Sequence, residues 1–171
     1  DRSEFLDIFL GATCEFCVST GTGFDTIPLI FRKRMVWTNF SPMECFLSHH
    51  SRFLTIFKHY YSPSLGRNLG LSEIVETALI GKEDDATLDQ KGIVLIPNSP
   101  NEILDVVAEA LACHEGKWME SVVDEQRQES FRRIFPVNVR SRLYANEEPL
   151  HGELRGRIGA KFLEQNPGWY R

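Results

Sequence analysis

Residues 14–40 read CEFCVSTGTGFDTIPLIFRKRMVWTNF. Two apolar runs, TCEFCVS at 13–19 and RMVWTNF at 34–40, have the composition of short buried strands. Between them, TIPLIFRK at 26–33 suits a helix. Strand, helix and strand in so few residues predict a βαβ unit and therefore a parallel sheet. The first strand runs out into Ser19, Thr20, Gly21, Thr22 and Gly23. Asp25 is placed to cap the helix. Pro28 then falls in the first turn, where its missing N–H costs nothing.

The same reading extends outward. Upstream, SEFLDIFLGA predicts an amphipathic helix over 3–11, capped by Ser3 and ended by Gly11. Downstream, RFLTIFKHYY (52–61) predicts a third strand, and KGIVLIPNS (91–99) a fourth. GLSEIVETALIG (70–81) predicts a helix capped by Ser72 and closed by Gly81. SPNEILDVVAEALAC (99–113) carries the strongest helix signal. Ser99 is its cap, Pro100 its first residue, and Ile103, Val106, Val107, Ala110 and Leu111 its apolar stripe. A charged helix is expected over 117–134, broken at Pro136, with Val122, Val123, Phe131 and Ile134 turned inward. Residues 137–151 read as a loop, and HGELRGRIGAKFLEQNP (151–167) as a last helix stopped by Asn166 and Pro167. The expected fold is a single α/β domain over 1–171, Rossmann-like, with a four-stranded parallel sheet and helices on both faces. The opening at Asp1, inside a helical pattern, reads as the C-terminal piece of a longer chain.

The bulk composition narrows the function classes. The 171 residues are 42% hydrophobic and 25% charged, with a net charge of -5, which argues against a general nucleic-acid binder. No apolar run approaches the roughly 20 residues that span a bilayer, and no signal peptide is visible. With Cys14, Cys17, Cys45 and Cys113 read as buried free thiols, the chain is expected in the cytoplasm. No metal site is expected. The Cys14–Cys17 spacing lacks a second pair, and adjacent His49 and His50 lack a carboxylate or thiol at ligand spacing.

The glycine loop raises the question of a ligand. In open α/β sheets, ligands bind beyond the carboxyl ends of the strands. Gly21 and Gly23 allow positive φ and close backbone approach, free loop amides hold anions, and Ser19, Thr20 and Thr22 add hydroxyls. A phosphate is the expected ligand, with Asp25 turned sideways to a ribose hydroxyl. The alternative is a bare turn followed by a capped helix. Lys58 and His59, at the end of the third strand, are candidates for the same rim: Lys58 to neutralise a diphosphate, His59 as base or nucleobase contact. Solvated Lys58 and His59 are the competing reading. At most one of Arg155 and Arg157 is expected at a ligand, with a solvated face for both as the simpler expectation. No catalytic residue is assigned. FSPMECFLSHHSRF (40–53) is expected at a domain interface or at a membrane-bound acceptor.

The 14–40 segment resembles the second half of the nucleotide-sugar domain of GT-B glycosyltransferases and the related UDP-GlcNAc 2-epimerases. RKR at 32–34 stands where those proteins carry GKP-like residues. IFKHYY, LSEI, KGIVLIPNSPNEI and LHGELRGRIGAKFLEQNPGWY extend the resemblance, over nearly the whole chain, to a bacterial family of GT-B-type glycosyltransferases. The resemblance implies a two-domain enzyme in which this part binds the donor. Ser19, Thr20, Gly21 and Thr22 would meet the phosphates, and Asp25 or Thr26 the ribose. A terminal helix over 150–166 would cross to the other domain. It further implies a nucleotide-sugar as substrate with no cofactor, a glycan or lipid-linked acceptor, and a cytoplasmic enzyme working in solution or peripherally at a membrane. A nucleotide-sugar epimerase and a non-catalytic interaction domain are the alternatives.

Overall fold

The computed structural model describes residues 3–81, 83–135 and 153–171. In chain order it holds α1 (Glu4–Thr13), β1 (Phe16–Ser19), α2 (Thr26–Ile30), β2 (Arg34–Phe40), β3 (Phe53–Phe57), β4 (His59–Ser62) and β5 (Arg67–Asn68). Then come α3 (Leu71–Glu76), α4 (Asp85–Lys91), β6 (Val94–Ile96), α5 (Pro100–His114), α6 (Val122–Ile134), β7 (Arg157–Ile158) and α7 (Ala160–Gln165). β1, β2, β3 and β7 make a parallel sheet in that order. β5, β4 and β6 make a second, antiparallel sheet.

The expected parallel sheet covered on two faces is present. Met35, Val36, Trp37 and Thr38 are all buried, as is every residue of β3, so successive side chains on opposite faces are both covered. α5 packs along β1, β2 and β3 and against α7, and α2 lies on β2 with α1 beside it. An aromatic cluster fills the centre. Phe46 meets Phe57 edge-on at 5.6 Å, and Trp169 stacks on Phe131 at 6.0 Å. No helix among the described residues is long and apolar enough to cross a membrane.

Several elements differ from expectation. α1 begins as predicted, with Ser3 Oγ accepting from Leu6 N at 3.2 Å, but runs past Gly11. A Cβ at Gly11 would lie 2.6 Å from Ile27 Cγ2, so this glycine lets α1 approach α2 rather than ending the helix. The 52–61 run is two strands in two sheets, divided at Lys58. KGIVLIPNS supplies β6 to the antiparallel sheet, not a fourth parallel strand. That place is taken by β7, hidden inside the stretch expected to be one helix, leaving α7 only Ala160–Gln165. α3 is capped at Gly70, whose amide donates to Glu73 Oε2 at 2.8 Å, and it ends before Ala78, which adopts φ +53°. Ser72 donates to the Arg171 carbonyl instead.

α5 matches closely: Ser99 Oγ accepts from Glu102 N, and Val106 and Ala110 are buried, while Leu111 is exposed. In α6, Phe131 and Gln128 face inward, but Val122 and Val123, in its first turn, are exposed. The 40–53 stretch is core rather than an open apolar surface, with Met43, Phe46 and Phe53 buried. Pro136, the 137–151 loop, His151 and Gly152 lie outside the described residues.

Candidate functional site at the carboxyl rim

β1 ends at Ser19, in register with Trp37 of β2. Gly21 then adopts φ +88°, a conformation costly for residues with a Cβ. A Cβ there would sit 3.2 Å from the Phe40 ring, so the position needs glycine for conformation and for contact. A single tight turn over Gly23–Asp25 leads directly into α2.

Asp25 fastens this loop. Its carboxylate is buried and accepts from Thr22 N at 3.2 Å, Thr22 Oγ1 at 3.3 Å and Trp37 Nε1 at 2.8 Å. It therefore caps backward onto Thr22, with no side-chain bond to α2. The expected forward cap and sideways ribose contact are replaced by this internal set of partners. Of the loop amides, Thr22 N is thus engaged, and Gly21 N reaches Ser19 Oγ at 3.3 Å. Gly23 N and Phe24 N precede the first bond of the turn, Asp25 N to Thr22 O, and have no partner among the described residues. Thr20, Thr22, Gly23 and Thr26 are exposed beside them, and Ser19 is half-buried.

Lys58 stands on the same rim. Its amide donates to the Phe40 carbonyl at 3.4 Å, which sets it two strands across from Ser19 and about three residues further along them. Its ammonium has no ion pair or hydrogen bond among the described residues. His59 turns the other way. Its Nε2 donates to Glu102 Oε1 at 2.8 Å and its ring stacks on Phe162 at 5.5 Å. Burial pushes Glu102 up, but the Ser99 amide, the His59 ring and the Ser99 hydroxyl outweigh it and hold the carboxyl below its ordinary range. Glu102 is therefore an acceptor, and His59 belongs to the α5 wall rather than to the glycine loop.

Two further fastenings were not visible in the sequence. Asn39, at φ +51°, and Asn98 hold each other reciprocally. Asn39 N donates to Asn98 Oδ1 at 2.6 Å, Asn98 N donates to Asn39 Oδ1 at 2.5 Å, and Asn98 Nδ2 donates to the Phe57 carbonyl. Glu83 accepts from Ser41 Oγ, Tyr60 OH and, at 2.7 Å, Met43 N. Burial and the Glu83 charge push the Tyr60 phenol far above its usual range.

The arginines separate. Arg155 pairs with Glu153 in solvent, as the simpler expectation had it. Arg157 is largely buried at the amino end of β7, bound to Glu125 and Glu120, so the solvated reading fails for it. The cysteines are free, half-buried thiols. Burial, with Asp25 and Cys14 adding to it, pushes Cys17 up to about 11. Neither family models, nor curated proteins, nor solved structures yield a match to this chain.

Proposed function

We propose that the carboxyl rim binds the diphosphate of a nucleotide-sugar, and that the chain is the donor-binding part of a GT-B-like glycosyltransferase. One observation carries the reading. The left-handed turn at Gly21 presents the unpartnered amides of Gly23 and Phe24 at the end of a parallel strand, on the same rim as the unpaired Lys58. Asp25 serves by fixing the loop, while Thr20 and Thr26 offer hydroxyls to phosphate or ribose. In sugar transfer, the bond between the anomeric carbon and the diphosphate oxygen breaks, and negative charge grows on the leaving diphosphate. N–H groups fixed before the reaction, and a nearby ammonium, lower the energy of that charge. The acceptor, a glycan or a lipid-linked molecule, and the catalytic base fall outside what these residues define.

A second reading, a module that only binds other proteins, is favoured by the exposed Phe5, Phe9, Ile30 and Phe31 of the α1–α2 side. Titration calorimetry with UDP, GDP and CMP separates the two. The donor reading expects heat on adding a nucleoside diphosphate, lost in Gly21→Val and weakened about tenfold in Lys58→Ala. Silence with all three nucleotides, or full binding by Gly21→Val, rejects the donor reading.

A further inference from the structure

α1 turns its apolar side away from the molecule. Gly11 is the buried residue of α1, and it faces Ile27 of α2. Phe9 stands two residues earlier, about 200° around the helix from Gly11. Phe5 lies one turn before Phe9 on the same side, and the two rings stack at 6.1 Å. Leu6 and Leu10 widen the stripe. All four are exposed, Phe5 to 75%. Packing within this chain therefore leaves the stripe uncovered.

Ile30 and Phe31, at the end of α2, add to the same side of the molecule. These six side chains offer on the order of 600 Å2 of apolar surface, taking 150–250 Å2 for a whole aromatic side chain. That is the upper end of what a monomer leaves open, and with a charged rim it approaches the roughly 800 Å2 that each partner gives to a standard interface.

The rim charges choose the occupant. α1 leads into β1 and α2 into β2, and these strands are parallel, so the two helices run the same way. Glu4 precedes the Gly11–Ile27 contact and Arg32 follows it, which sets them at opposite ends of the face. Neither side chain has an ion pair among the described residues. A face with an acid at one end and a base at the other complements its own copy turned about a twofold axis. An anionic lipid surface is a poorer match, because α1 carries Glu4 and Asp7 and no lysine or arginine.

We propose that this face holds a second copy of the chain in an isologous dimer. The two α1 stripes pack antiparallel against each other, and each Glu4 meets Arg32 of the second copy. The proposal is independent of the donor reading, since it uses no residue of the carboxyl rim.

Sedimentation velocity of the full chain from about 1 to 200 µM should show monomer passing into dimer, with the face open to solvent at the dilute end. Phe9→Asp should keep the wild-type circular dichroism and stay monomeric throughout. Glu4→Arg and Arg32→Glu, each alone, should weaken dimerisation about tenfold, since two like-charge contacts replace two attractive ones. An equimolar mixture of those two variants should dimerise as the wild type does, because both contacts are again of opposite sign. A folding defect in either variant would not give that recovery. A monomer at every concentration, a dimer that Phe9→Asp leaves intact, or no recovery in the mixture overturns the proposal. So does a monomer that floats with phosphatidylcholine vesicles, which would assign the face to lipid. Calorimetry with UDP reads the carboxyl rim alone, so failure of the donor reading leaves this outcome separate.

Discussion

A single carboxylate, Asp25, ties the glycine loop to the sheet through Thr22 and Trp37. Asp25→Ala leaves the buried indole N–H unpaired and frees the loop. The expected loss is about 2–3 kcal/mol, a fall in Tm of roughly 5–10 °C by calorimetry, with Asp25→Asn losing less. Glu109 gives a second prediction, with a definite sign. Its folded pKa of about 7 lies above the ordinary carboxyl value of 4.5, so the folded state binds the extra proton. Stability from this group is greatest below about pH 4.5 and falls as pH rises towards 7. Glu109→Gln should flatten that slope in urea denaturation and leave the protein more stable than wild type at alkaline pH. At this scale the sequence was half legible. A carboxylate at the start of α2 was readable from TGFDTIP, but its direction was not, because the deciding partner is an indole twelve residues along in another strand.

At the scale of elements, α5 was readable because Ser99, Pro100 and Glu102 state its start locally and its stripe has helical period. β7 was not. Two residues carry no periodicity, and Arg157 and Ile158 sit within a pattern that suits a helix. What fixes the strand is long-range: the amides of Arg155 and Gly156 both donate to the Ser48 carbonyl, and Ile158 N donates to Gln128 Oε1. Gly156 is required by contact, since a Cβ there would lie 2.8 Å from the Leu47 carbonyl oxygen, which is backbone and cannot swing away. Gly156→Ala should therefore destabilise by about 2 kcal/mol. Hydrogen exchange at Ile158 should speed up more than exchange in the middle of β2. The division at Lys58 escaped sequence reading for a related reason. TIFKHYY is uniformly strand-like, and only pairing partners tell β3 from β4.

For the whole molecule, the α/β class and the parallel sheet followed from the alternation of strand and helix patterns, whereas sheet membership did not. The distribution of apolar surface was also hidden. Helical spacing in α1 implied an inward face, yet Phe5, Ile8, Phe9 and Leu10 are all about half exposed or more. Periodicity reports that a helix has a side, not that something covers it. Phe5→Ser with Phe9→Ser should lower the binding of an apolar fluorescent dye while shifting unfolding free energy by only about 0.5 kcal/mol. The reciprocal Asn39–Asn98 pair has an effect on the rim as a whole. It rivets the end of β2 to the entrance of α5, so that lip moves as one piece. Among the described residues, the side-chain hydrogen bond that ties the lip beyond β1 to β2 runs through Asp25. Any give needed to admit or release a guest must come from that softer side, and the opening is a jaw with one fixed and one yielding half.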